Sequence, residues 1–472
     1  MQTRRNFLKL SASAPLLMGA GSLLGGIPAM SSQAAEVGGY RALVCIFLDG
    51  GMDSHDTVIP YDNTSYQSFV SHRTSLMNAY DSTNTDSSRN RNNLLPLDPV
   101  SASFSGRQFS LPPQMAALHS LFDQGNAAIV GNVGPLLRPV DSAALEGRED
   151  LTPARLFSHN DQMSTWMSFA PEGSLTGWGG MFGDAVTAVS ANREPVFSQI
   201  SLGGNSVFLA GDTVGAYEME KDGIPSIALI EEAGRNLPLT SIPLQLQGLL
   251  RDHFASAGNN RGNLLERDII DLSRVSLDAN DKMRIALEGA PSFTTEFPRS
   301  SLGKQLAQIA RTIAVRDTLG ASRQVFYVRV GGFDTHSDQT TTLPYLQQDL
   351  SDSIAAFYAA TQELGVEQDV TSFTMSDFGR TLTANGNGTD HGWGGHHFVV
   401  GGSVRGGDIY GDIPKAELGH AQDAGSGRLI PTMSVQQFAK PLGSWFGLSD
   451  EDLNTALPGL SEFPTGGPNL FV

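Results

Sequence analysis

Residues 42–53 read ALVCIFLDGGMD, and this stretch sets the reading of the fold. Ala42 to Leu48 is an unbroken apolar run that stops at Asp49-Gly50-Gly51. A strand with one solvated face alternates polar and apolar residues. A run without alternation is a strand covered on both faces, the usual state in a parallel sheet. Similar runs recur at Ala127–Val133, Gln324–Val330, Val370–Met375 and near Phe398–Val400, with two shorter strands expected at Ser198–Leu202 and Val207–Ala210. Helical spacing lies between them, over 114–124, 178–189, 302–319 and 343–364. This alternation predicts an α/β fold with a largely parallel central sheet and helices on both faces. Residues 36–472 read as a single domain with a polar loop insertion near 81–110 and a helical insertion near 240–300.

The chain of 472 residues carries 31 basic and 49 acidic side chains, a formal net charge of −18. Such acidity opposes a phosphate backbone and excludes general nucleic-acid binding. One cysteine, Cys45, excludes an intramolecular disulfide and a cysteine-built metal site. Cys45 lies inside the apolar run and reads as buried and inert. The opening string MQTRRNFLKL precedes an apolar stretch too short for a stable membrane span, then small residues suited to cleavage. Residues 1–35 therefore read as a twin-arginine export signal, which carries folded proteins out of the cytoplasm. Losing Arg4, Arg5 and Lys9 with it takes the net charge from −18 to −21. The expected location is periplasmic or extracellular.

In open α/β sheets ligands bind beyond the carboxyl ends of the strands. Reading those ends collects one chemistry. The first strand ends at Asp49 with Asp53 beyond; the strand at 324–330 leads to Asp334 and His336; that at 370–375 leads to Asp377 and Arg380. The string TDHGWGGHH, before the next strand, offers Asp390, His391, His396 and His397. Aspartates gathered at one rim repel unless a positive charge lies between them, and a divalent cation supplies it. Mixed carboxylate and imidazole donors suit zinc or manganese, with calcium or magnesium favoured where His contributes little. Arg380 reads as a grip for an anionic group. Each element has a plainer reading too: Asp49 as a helix N-cap, the Asp334-Thr335-His336 string as a turn. His55, Asp56, His72 and His119 read as surface or helix-face residues, and Trp166, Trp178, Trp393 and Trp445 as core packing or sugar-stacking faces.

The strings LDGGMDSHDTVIPYD, SHNDQMSTW, GGFDTHSDQ, SDFGRTLTANGNGTDHGWGGHHFVVGG and the tail from Arg428 resemble an exported bacterial family, domain of unknown function 1501. The resemblance implies an alkaline-phosphatase-like fold shared with sulfatases and phosphoglycerate mutases. It implies two divalent metal ions, one on Asp334, His336 and His391, the other on Asp377 and shared with Asp49. Relatives commonly carry Glu where this chain has Asp377, one methylene shorter. Ser158, before the expected helix in SHNDQMSTW, is the candidate nucleophile or a plain N-cap, with His159 and Asp161 close by. The expected activity is metal-dependent hydrolysis of a small phosphate or sulfate ester or a modified glycan. The alternative is a non-catalytic, metal-stabilised binding or assembly protein.

Overall fold

The computed structural model describes residues 38–83, 85–101, 104–224, 249, 252 and 264–472. The expected export signal, 1–35, lies outside them, as does most of 240–263. The central sheet is built from β1 (Arg41–Leu48), β2 (Ala127–Gly134), β3 (Gln199–Ser201), β4 (Tyr217–Glu218), β5 (Arg323–Val330), β6 (Val370–Ser376), β7 (Gly395–Gly401), β8 (Asp408–Gly411) and β9 (Met433–Ser434). Their order across the sheet is β8-β2-β7-β6-β1-β5-β3-β4, with β9 paired to β2. Every pairing is parallel except those of β7, which runs antiparallel to both β6 and β2.

The apolar run behaves as a strand buried on both faces. Ala42, Val44, Ile46 and Leu48 enter one core, and Leu43, Cys45 and Phe47 the other. The first core is closed by α1 (Ala116–Asp123), α4 (Leu264–Glu288), α5 (Ser301–Ala314) and α6 (Gln339–Glu363). The second is closed by α2 (His159–Ser168), α3 (Trp178–Ala188) and α7 (Val435–Phe446). Full burial of each large side chain contributes roughly 1.5–3 kcal/mol, so truncating Phe47 to Ala would cost about 3–5 kcal/mol. Among the described residues no helix is long and apolar enough to cross a membrane.

One expected strand is a helical turn. Val207–Leu209 form a 3-10 helix, with the Ser206 hydroxyl accepting from Phe208 N. This side-chain cap satisfies a backbone donor locally, and Phe208 drops between Trp178 and Tyr327. The polar segment 81–110 is not featureless either. It contributes Leu95–Pro96 and Phe109–Leu111 to a small sheet with Ile59–Pro60.

Candidate metal centre

Strands β6, β1 and β5 lie side by side and parallel, so their carboxyl ends share one rim. Asp49 follows β1, Asp377 follows β6, and Asp334 follows β5 after a short turn. Strand β7 runs the other way, so the segment entering it lies at that same rim and carries His391. The turn after β1 approaches closely: at Gly50, with φ of +117°, a Cβ would stand 2.3 Å from Asp334 N. Only glycine fits there.

Three imidazoles converge on one carboxylate. Asp334 Oδ1 lies 3.1 Å from His336 Nε2 and 3.2 Å from His391 Nε2, and Asp334 Oδ2 lies 3.6 Å from His159 Nε2. The Nε2 atoms of His336 and His391 are 2.9 Å apart. One ligand atom each from His159, Asp334 and His391 falls within 4.8 Å of the other two. The Nδ1 atoms are engaged elsewhere. That of His159 donates to Asp377 Oδ2 (2.5 Å), that of His391 to the Phe157 carbonyl (2.9 Å), and that of His336 lies 3.3 Å from Asp390 Oδ1. A proton held on Nδ1 would leave Nε2 as a lone pair able to meet a cation beside the carboxylate. Such outer partners for Nδ1 are the usual companions of metal-bound imidazole. Donors bound at about 2.0–2.1 Å in a tetrahedron stand roughly 3.3 Å apart, so the contacts among His336, His391 and Asp334 suit one cation of the zinc type, with a His159 nitrogen within 4.8 Å of Asp334 and His391. Phe378 packs against the rings of His159 and His391, with centroids 4.8 and 4.4 Å away.

The remaining rim carboxylates are already partnered. Asp49 Oδ2 accepts from Arg329 Nη2 (2.6 Å) and Nε (3.0 Å). Asp377 accepts from Gly50 N at 3.0 and 3.2 Å and from the Ser376 hydroxyl at 3.2 Å, besides His159. Arg380 is fully buried; Nη1 donates to Asp334 Oδ1 (2.8 Å) and the Gly50 carbonyl (3.2 Å), Nη2 to the Thr389 carbonyl, and Nε to Thr389 Oγ1 (3.3 Å). Burial pushes the Asp334 carboxyl up, but its hydrogen bond and charge contact with Arg380, together with the histidines, hold it below the usual carboxylate range. The hydrogen bond to Asp377 raises His159 above the usual imidazole value, against burial. Burial lowers His391.

The other candidates lie elsewhere. The Ser158 hydroxyl donates to Asp161 Oδ2 (2.8 Å) at the start of α2, while its neighbour His159 enters the rim group. Asp161 is pushed up by burial but held below its usual value by Ser158, Glu172 N and Arg155. His396 and His397 are buried within β7. His55 and Asp56, expected as surface or helix-face residues, are also buried: His55 Nε2 meets the Gly427 carbonyl at 3.0 Å, and Asp56 pairs with Arg89 at 2.7 Å and with the Tyr80 hydroxyl. Asp53 pairs with Arg73 at 2.6 Å, both side chains fully buried. Trp166, Trp178 and Trp393 are core residues, so they offer no face to a sugar. Sequence reasoning placed His159 beside the site only as a neighbour of Ser158. Its signal was a histidine at a helix start, which one sequence cannot separate from a helix cap.

A family model described as "Protein of unknown function (DUF1501)" matches residues 40–457. The chain belongs to this family. All of the rim residues lie inside the matched span. No curated protein matches the DUF1501 chain in sequence. Among solved structures it is similar to the PsFucS1 sulfatase from Pseudoalteromonas sp., at 9% identity over 95% of this chain and 73% of that one, with a TM-score of 0.34. It is also similar to Ps i-CgsB in complex with k-i-k-neocarrahexaose, at 6% identity over 88% and 74% with a TM-score of 0.34. A third is the C-terminal periplasmic domain of EcEptC from Escherichia coli, at 10% identity over 90% and 87% with a TM-score of 0.31.

Proposed function

We propose that this protein is an exported, metal-dependent hydrolase of phosphate or sulfate esters of the alkaline-phosphatase-like kind. The observation that carries the reading is the convergence of His159, His336 and His391 on Asp334, with the other imidazole nitrogens turned to fixed partners. His159, His391 and Asp334, with His336 beside them, would hold a divalent cation, which would polarise the ester oxygens as a Lewis acid. Ser158 provides the hydroxyl at the amino end of α2, where the helix dipole favours developing negative charge. Asp161, already hydrogen-bonded to that hydroxyl, is placed to receive its proton. Arg329, with 40% of its side chain exposed, borders two open cavities of about 620 and 230 Å³ and can meet a non-bridging oxygen.

The test is turnover of phosphomonoester, phosphodiester and sulfate ester panels by the purified protein with added zinc, manganese, calcium or magnesium. His159→Ala and His391→Ala are the controls. Metal-dependent turnover lost in both is expected; turnover surviving in both overturns the site. A second reading is a metal-stabilised binding or assembly protein without catalysis. The depressed Asp161 carboxyl, a weak base for Ser158, favours it. That reading predicts a metal-raised melting temperature with no ester turned over.

A further inference from the structure

Resting on the metal-centre reading above, we propose that the rim holds one transition-metal cation, and that Arg380 is a built-in positive charge in place of a second. The carboxylates that end β1 and β6 are each engaged within the chain. Asp49 is taken by Arg329. Asp377 accepts from Gly50 N, Ser376 and His159, and so orients an imidazole rather than offering a free oxygen.

Arg380 stands among these carboxylates, bridging Asp334 Oδ1 and the Gly50 carbonyl. It is also anchored from below. Thr389 Oγ1, which accepts from Arg380 Nε, donates to Gln339 Oε1 at 2.9 Å. Gln339 Nε2 donates to Asp53 Oδ2 at 2.7 Å, and Asp53 is locked to Arg73. All of these side chains are buried. A guanidinium fixed by a buried relay cannot swing aside to make room for a metal, and moving it would leave several buried polar groups unpaired.

The charge balance agrees. Four carboxylates, Asp49, Asp334, Asp377 and Asp390, stand at the rim against the two guanidiniums of Arg329 and Arg380, a balance of two negative charges. One divalent cation neutralises that, while two would concentrate uncompensated positive charge against Arg380. The donor set also selects the metal. Three imidazole nitrogens and a carboxylate suit zinc-type ions, whereas calcium and magnesium take oxygen ligands.

The test is metal stoichiometry, which needs no substrate. The full protein, stripped with chelator, is titrated calorimetrically with Zn²⁺ and, separately, with Ca²⁺ and Mg²⁺, and the zinc-loaded protein is checked by elemental analysis. The expected result is one zinc per chain, none in His391→Ala, and calcium and magnesium binding at least 100-fold weaker. Two zinc ions per chain, or calcium the tighter ligand, overturns this inference while leaving a metal-dependent hydrolase standing. No zinc at all overturns the proposed function with it. Arg380→Gln, if folded by circular dichroism, is expected to take up a second, weaker equivalent, and Arg380→Lys to stay at one. A folded Arg380→Gln with unchanged stoichiometry and affinity overturns the role given to Arg380. Should that variant fail to fold, the wild-type count alone decides.

Discussion

The protein contains two sets of three histidines that differ in almost everything, although members of the two lie close together in sequence. His391 and the pair His396 and His397 are separated by only a few residues, yet one lies at the rim and the others are inside a strand. The rim set, His159, His336 and His391, turns its Nε2 atoms onto Asp334. The buried set, His55, His396 and His397, is dispersed onto single partners: the Gly427 carbonyl, Asn132 N (2.9 Å) and Thr374 Oγ1 on β6 (3.4 Å). Burial drives the buried three down, His55 to about 4 and His396 and His397 to about 3. Residue type does not make a ligand; what the second ring nitrogen is tied to, and what the first one faces, does.

The difference is tested first by acid. Each buried histidine stays neutral when folded and takes a proton near pH 6.5 when unfolded. Below pH 6.5 the unfolded state therefore binds more protons, and stability falls as pH falls, until the folded values near 4 and 3 are reached. The slope is up to about 1.4 kcal/mol per pH unit for each histidine, so about 4 for the set. Denaturant melts of the metal-free protein between pH 7.5 and 5 measure it. A flat profile would mean that these histidines do not stay neutral.

The rim set is tested by metal. Zinc at 100 times its dissociation constant should add about 2.7 kcal/mol of stability. Asp334→Ala should abolish that increment, and an undiminished zinc-dependent rise in that variant would break the assignment. Asp390→Asn removes the negative charge beside His336 Nδ1, at an oxygen that also accepts from Asn385 Nδ2. It should weaken zinc binding by about 10-fold, the lower end of the usual outer-partner effect, because Asp390 is half exposed. Calorimetry distinguishes that from no change, which would release His336 from the centre.

The sequence was informative where burial is uniform and silent where it is relayed. The strand at 42–48 was legible because both its faces are apolar, and so was the rim that its end defines. Asp334, His336 and His391 were legible as strand-end residues. The antiparallel direction of β7 was not, since a buried strand looks alike in either direction, yet that direction is what delivers His391. The role of Arg380 was hidden for a different reason. The relay behind it, Thr389, Gln339, Asp53 and Arg73, is spread over more than three hundred residues, and a lone Asp or Arg reads as solvated until its partner is seen. The same reasoning read His55 and Asp56 as surface or helix-face residues; they lie in a short 3-10 turn that the fold buries.

The smallest expected effect isolates one member of the buried set. His397 Nε2 has no hydrogen-bond partner among the described residues, and its ring packs edge-on against Trp166 at 4.8 Å. His397→Leu keeps an apolar body of similar size. It loses the ring contact and the long bond to Thr374 Oγ1, but Thr374 Oγ1 still accepts from Phe398 N at 2.9 Å. Removing an unsatisfied buried nitrogen recovers about 1–3 kcal/mol, which offsets most of what the lost packing costs. At pH 7.5 the net change should stay within about 1 kcal/mol. The acid slope should fall by about 1.4 kcal/mol per pH unit, one histidine's share, while zinc affinity stays unchanged. A variant that loses zinc binding would show that the two sets are not independent. One that keeps the full acid slope would move the proton uptake to other groups.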